Sequence, residues 1–239
     1  LVQKRLSFEV VVFFMEKRVI DGYAHASYKR PVRSNEELGQ RSEDFYLEMD
    51  QRRTVREFDT KDVPLKVMEN IILTAGTAPS GAHKQPWKFC LISDPLLKKK
   101  IRIAAEEEEK ISYTSRMSAT WKEDLKALGT NWEKPFLELA PHLIVVFKQS
   151  YSLENGEKHQ HYYVNESVGI ACGFLIAAIH NAGLVAVTHT PSPMNFLSEL
   201  LKRPFYEKPY LIIPVGYAKE DTYVPDIHRK TLDEILVRY

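Results

Sequence analysis

Ala78-Pro79-Ser80-Gly81-Ala82-His83-Lys84-Gln85-Pro86-Trp87 is the stretch on which the reading of this 239-residue chain turns. Upstream, Val67, Ile71, Ile72 and Ala75 repeat at helical spacing after Pro64, and Gly76 supplies a stop. Downstream, Phe89–Ile92 has the composition of a strand. Between them, Pro79 and Pro86 fix their own φ and push the preceding residues toward extended backbone. Gly81 permits a turn or a close approach that a Cβ would block. Ser80, Gly81 and Ala82 are small and leave their peptide N–H groups uncovered. Such a loop can press its backbone against a flat ligand, and it serves equally as a plain helix-to-strand connection.

Working outward, Ile20–Asn35 reads as a polar, extended arm. Ser34 before Glu36 and Glu37 opens a helix running to about Arg52. Asp94 and Pro95 open another, carrying Leu96, Ile101, Ile103 and Ala104 and continuing into the acidic run Glu106–Tyr113. Trp121–Leu128 is a short amphipathic helix stopped by Gly129, and Trp132–Pro135 is a loop. His142–Phe147 is a β-branched, buried strand. Asn155-Gly156 is a turn signal. Val168–Ile179 is apolar nearly all round, as in a helix buried at the middle of a protein. Leu184–Thr188 and Tyr210–Val215 are further strands, with a helix over Met194–Leu201 between them and a short one near the C-terminus. No repeat and no Gly/Ser linker divides the chain. The expectation is an α+β fold, a small antiparallel or mixed sheet packed by helices around a long buried helix.

Composition narrows the function. A net charge of +1 gives no reason to expect nucleic acid or a membrane surface as a partner. With 44% hydrophobic residues the chain can bury a real core. Cys90 and Cys172 lie in apolar runs and read as buried thiols of a reducing, cytoplasmic compartment. Two cysteines and no His-Glu-x-x-His pattern leave no metal site to propose. Phe8–Met15 is too short to span a bilayer, and Leu1–Phe14 reads as upstream or vector-derived sequence.

Three groups of residues could carry chemistry. Arg52, Arg53 and Arg56 form a dense basic knot with Thr54 inside it. Guanidinium groups grip phosphate bidentately, and Arg52 and Arg56 would share a face if the segment is helical. A solvated basic patch is the plainer alternative. Thr188-His189-Thr190-Pro191 follows a strand, where hydroxyl and backbone donors can meet a ligand edge or merely cap a turn. Glu109 and Tyr113 are four apart on one helix face, and Lys134 lies in the loop after the next helix. Together a carboxylate, a phenol and an ammonium could hold a zwitterion; alone the acidic run is a solvated face. Nucleotide-binding glycine fingerprints, the Walker loop and the Gly-x-Ser-x-Gly elbow are all missing.

Taken together, Arg52–Phe58, Ala78–Trp87, Ala177–Thr190 and Pro214-Val215-Gly216-Tyr217 resemble the FMN-dependent nitroreductase superfamily. Pro79–Trp87, Glu106–Tyr113, Trp132–Pro135, His161-Tyr162-Tyr163 and Val224-Pro225-Asp226 are similar to its iodotyrosine deiodinase branch. The resemblance begins at about Glu43. It implies an N-terminal arm over 1–42 and an FMN-binding domain over 43–239, with a lid at about 105–135. It further implies an intertwined homodimer with FMN at the subunit interface. Arg52, Arg53, Thr54, Arg56 and Arg229 would hold the phosphate and nearby flavin groups. Pro79, Ser80 and Gly81 would line the ring system. Thr188, His189 and Thr190 would meet its edge, with the Thr190 hydroxyl bonded to N5 in the catalytic role. The Ala82 N–H would meet a phenolate, and Glu109, Tyr113 and Lys134 the amino-acid head of a halotyrosine. NAD(P)H or a reductase would supply electrons. Two departures stand out: Thr54 where serine is expected, and His189 where threonine is. The alternatives are a general NAD(P)H-dependent nitroreductase or quinone reductase, and a flavin-binding sensor or storage protein without turnover.

Overall fold

The computed structural model describes residues 16–239, so the expectation for Leu1–Phe14 lies outside the described residues. The chain forms two compact units, one ending at Leu47 and the other Glu48–Tyr239. In the first, β1 (Lys17–Ile20) and β2 (Tyr23–Ala26) pair antiparallel, Ile20 opposite Tyr23. Asp21 and Gly22 both take positive φ, 52° and 83°. Asp-Gly is the dipeptide that a two-residue hairpin loop demands. This corrects only the start of the extended arm expected over Ile20–Asn35; residues 27–34 form neither helix nor strand. The helix α1 (Asn35–Asp50) starts in this unit. Ser34 Oγ accepts the Glu37 N–H at 3.2 Å, and Glu37 Oε2 accepts the Ser34 N–H at 3.0 Å. That is a reciprocal capping box.

In the second unit Arg52–Phe58 is not helical. Thr54 makes a parallel bridge to Ala186 and Phe58 an antiparallel one to Ala218. Pro64 precedes α2 (Leu65–Gly76), and a 3-10 turn, Gly81–His83, leads into β3 (Trp87–Ile92). Asp94 caps α3 (Pro95–Ile111), accepting the Leu97 N–H at 2.6 Å. A π-turn, Ser112–Arg116, follows, then α4 (Ala119–Lys126) and the short α5 (Phe136–Leu139). The chain continues through β4 (His142–Gln149) and the hairpin β5 (Tyr151–Glu154) and β6 (Glu157–Gln160). Then come α6 (Val164–Asn181), β7 (Val185–Ala186), α7 (Asn195–Leu200), β8 (Glu207–Gly216) and α8 (Leu232–Ile235).

The central sheet runs β3-β4-β8-β7, antiparallel throughout. Side chains alternate faces along a strand, so β4 serves two cores. Ile144 and Val146 pack with Met68, Ile71 and Ala75 of α2 and with Val168, Ala171 and Leu175 of α6. Leu143, Val145 and Phe147 pack with Ile101 and Ala105 of α3, Leu137 of α5 and Leu197 of α7. All five β4 residues are fully buried, each worth roughly 1.5–3 kcal/mol. The helix α6 buries one side against α2, while Ile170 and Phe174 stay 43% and 40% exposed. One chain therefore covers only part of a helix whose sequence is apolar nearly all round. Among the described residues no helix is long and apolar enough to cross a membrane.

Candidate active site

The knot predicted from sequence becomes the wall of a cavity of about 310 Å³, lined by Arg52, Arg53, Thr54, Arg56, Leu128, Pro225, Ile227, His228 and Arg229. The bridge from Thr54 to Ala186 and the Val55 N–H bond to Ala186 O at 3.1 Å fix this segment to the sheet. Backbone pairing, not a helix, gathers Arg52 and Arg56. Arg229 comes from the C-terminal tail: it donates to Arg52 O at 2.7 Å and to Asp50 Oδ1 at 3.0 Å. The Arg53 guanidinium donates to the Pro225 carbonyl. Among the described residues no carboxylate pairs with Arg52, Arg53 or Arg56. Burial, then Arg229 and Arg53, push the Arg52 pKa down. Crowded, part-buried cations of this kind suit a dianionic phosphate monoester, which would relieve their mutual repulsion.

A second cavity, of about 270 Å³, shares Arg56 with the first. Glu109 reaches it from α3, Tyr113 from the π-turn, Trp121 and Leu125 from α4, and Lys134 from the loop before α5. The Lys134 ammonium stands 3.4 Å from Glu109 Oε2 and 5.5 Å from the Tyr113 ring centroid. It also donates to the Asn131 carbonyl, and Tyr113 OH donates to Thr130 O at 3.4 Å. Burial raises the Glu109 pKa against the pull of Lys134, and burial lowers that of Lys134 against the pull of Glu109. An amino-acid head could take the place of this internal pair, its ammonium facing Glu109 and its carboxylate Lys134.

Thr188, His189 and Thr190 line the same cavity. The His189 backbone pairs with Ile212, N–H to O at 2.9 Å in each direction. Residue alternation leaves the two threonines exposed and buries His189. Its ring stacks edge-on against Phe136 at 5.8 Å, and its Nε2 is buried without a hydrogen-bond partner. Burial, then Lys134 and Arg56, lower its pKa to about 3. The imidazole is neutral at physiological pH.

Pro79, Ser80, Gly81 and Ala82 are not among the residues lining either cavity. The turn is instead tied to the start of α6: the Gly81 N–H bonds Ser167 Oγ at 3.2 Å. Ala82, His83 and Gln85 all take positive φ, 48°, 54° and 47°. Such strain in three non-glycine residues is a known mark of functional loops. In the sequence Trp121 and Leu125 stand out only as members of the amphipathic helix over Trp121–Leu128; their four-residue spacing is the available signal.

Comparison with known proteins adds to this geometry. Residues 49–217 match the nitroreductase family. The iodotyrosine deiodinase of Haliscomenobacter hydrossis is 60% identical over 205 residues, covering 85% of this chain and 92% of that protein. Iodotyrosine deiodinase 1 of Homo sapiens is 48% identical over 215 residues, covering 89% and 74%. A crystal structure of oxidized iodotyrosine deiodinase bound to FMN and 3-iodo-L-tyrosine superposes with a TM-score of 0.72 at 32% identity, covering 82% of this chain and 98% of that one. The chain belongs to the nitroreductase family, in its iodotyrosine deiodinase branch.

Proposed function

We propose that the protein holds FMN at the arginine cavity and reductively dehalogenates halotyrosines seated beside it. The observation that carries the reading is Arg56, which lines both a cavity walled by four arginines and one with a buried carboxylate and ammonium. The net change is replacement of an aryl carbon–halogen bond by carbon–hydrogen, consuming two electrons and one proton and releasing halide. FMN, when bound, passes on those electrons, which come from NAD(P)H or a partner reductase. Arg52, Arg53, Arg56, Arg229 and Thr54 hold the phosphate. Thr188 and Thr190 present hydroxyls along the strand end. Glu109 takes the substrate ammonium, Lys134 its carboxylate, and Tyr113 closes over the head. Trp121 and Leu125 exclude water from the site.

A second copy of the chain completes this reading. The turn Pro79–Ala82 lines neither cavity in its own chain, so its small residues and the Ala82 N–H are free to line the partner's site. The exposed Ile170 and Phe174 of α6 supply apolar surface for that contact. The two free thiols, Cys90 and Cys172, suit a cytoplasmic setting.

The test is titration of the holoprotein's flavin fluorescence with iodotyrosine, tyrosine and a nitroaromatic. Lys134→Gln should weaken iodotyrosine binding by about 2–4 kcal/mol, the scale of truncating a buried charge pair. A general nitroreductase would bind iodotyrosine no better than tyrosine, and the substitution would leave its affinities alone.

A further inference from the structure

Lys98, Arg102, Glu106 and Glu109 are spaced four, four and three along α3, which places them on one face. Against that face the segment from Lys134 to Pro141 runs the opposite way. Lys98, itself 6% exposed, donates its ammonium to Ala140 O at 2.6 Å and Pro141 O at 3.3 Å. Arg102 Nε donates to Glu138 Oε2 at 2.7 Å and its NH1 to Glu106 Oε2 at 2.8 Å. Glu106 Oε1 accepts the Lys134 backbone N–H at 2.7 Å. The series ends with Glu109 beside the Lys134 ammonium.

We propose that Glu106, held by Arg102, is a positioning residue for amino-acid recognition: it clamps the Lys134 backbone to α3 so that the Lys134 ammonium stands opposite Glu109. The inference rests on the reading above that Lys134 and Glu109 grip the substrate head. Two details set Glu106 apart from a surface ion pair. Its side chain is 14% exposed, and it bonds main chain rather than a mobile side chain. A fixed backbone leaves only the lysine side chain to order when ligand arrives, and that lowers the entropic cost of binding. The same contacts divide the lid. Glu109 and Lys134 sit on its fixed side, pinned to the helix that packs on the sheet. Tyr113, Trp121 and Leu125 lie on the stretch between them, where Glu106 has no hold.

The experiment compares dissociation constants of iodotyrosine and iodophenol by flavin fluorescence, using holoprotein of wild type, Glu106→Ala, Glu106→Gln and Lys134→Gln. Iodophenol carries the halogenated ring without the head group. Glu106→Ala should weaken iodotyrosine about tenfold and leave iodophenol where it was, while Glu106→Gln, which keeps an acceptor for the Lys134 N–H, should recover most of the loss. A structural role alone would lower the melting temperature and shift both ligands equally, and that result overturns the inference. If Glu106→Ala yields no holoprotein, Arg102→Met serves: it should cost iodotyrosine roughly threefold relative to iodophenol, and an unchanged ratio is fatal. Should Lys134→Gln leave iodotyrosine unaffected, the reading of the site itself fails. Should it weaken iodotyrosine while Glu106→Ala does not, only the positioning role fails.

Discussion

The two cavities share Arg56, yet they treat charge in opposite ways. One gathers Arg52, Arg53, Arg56 and Arg229 with a single carboxylate, Asp50, at its edge. The other sets Glu109 against Lys134 at 3.4 Å, so that carboxylate and ammonium balance each other. The first needs an anion to be comfortable. The second is closed upon itself and gives up an internal contact to take a ligand. A cofactor that stays and a substrate that leaves call for just this contrast. The largest expected effect lies in the cationic cavity. Arg52→Ala should cost FMN about 2–5 kcal/mol, the range for losing one partner of a charge-assisted contact. Flavin absorbance per chain after dialysis reads it directly. Full flavin content in the variant would remove the asymmetry between the cavities.

The balanced cavity should instead answer to pH. Burial raises the Glu109 pKa above the ordinary 4.5, with Lys134 opposing. A raised carboxylate takes up its proton earlier as pH falls, and the neutral acid cannot hold an ammonium. Iodotyrosine affinity should therefore decline on the acid side from above pH 4.5, approaching about tenfold per unit once Glu109 is mostly protonated. Glu109→Gln should bind weakly and flatly across that range. FMN retention should not follow the same curve. A shared curve would mean that the cavities titrate as one site.

How far the sequence foretold this depends on whether neighbours in space are neighbours in the chain. Arg52, Arg53, Thr54 and Arg56 lie within five residues, so the knot is legible; the condition that the segment be helical is not met, because isolated bridges to Ala186 and Ala218 hold it extended. Glu109 and Tyr113 were legible through helical spacing. Lys134 meets them only because Lys98, Arg102 and Glu106 lay the later segment along α3, which no local pattern announces. Strand β4 follows from its β-branched run, and β3 and β8 from short apolar runs bounded by polar or turn residues. The hairpin at Asp21-Gly22 carried its signal in plain view, and the flanking polar residues obscured it. The apolar girth of α6 was read correctly from composition, but composition does not say that one chain covers only one side.

Gly81 probes the turn that serves neither cavity of its own chain. A Cβ there would stand 2.7 Å from Tyr162 O and 3.2 Å from Tyr162 C, both main chain, and 3.0 Å from Tyr163 Cδ2. Main chain at the start of α6 cannot swing away as a long side chain would. Gly81→Ala should cost roughly 1–3 kcal/mol of stability, the range for overpacking, read as a lowered melting temperature. If the turn completes a partner's site, FMN and iodotyrosine affinities should fall together. A fall in one alone would assign the turn to that cavity.

The smallest effect is expected at Ser118, whose Oγ accepts the Trp121 N–H at 3.1 Å and caps α4. That helix buries none of its residues, and Trp121 is 52% exposed. Local order in α4 therefore leans on its cap more than on any core. Ser118→Ala should cost about 1 kcal/mol locally, raising the iodotyrosine dissociation constant by up to roughly fivefold, with little change in melting temperature. The helix supplies Trp121 and Leu125 to the balanced cavity. Just beyond it, Leu128 lends the cationic cavity a carbonyl 3.5 Å from Arg56. A bond that long contributes little. Faster amide exchange across Ala119–Lys126 should thus accompany weaker iodotyrosine binding and undiminished FMN. Loss of FMN in this variant would show that the short stretch after α4 couples the cavities more tightly than the Arg56 contact alone requires.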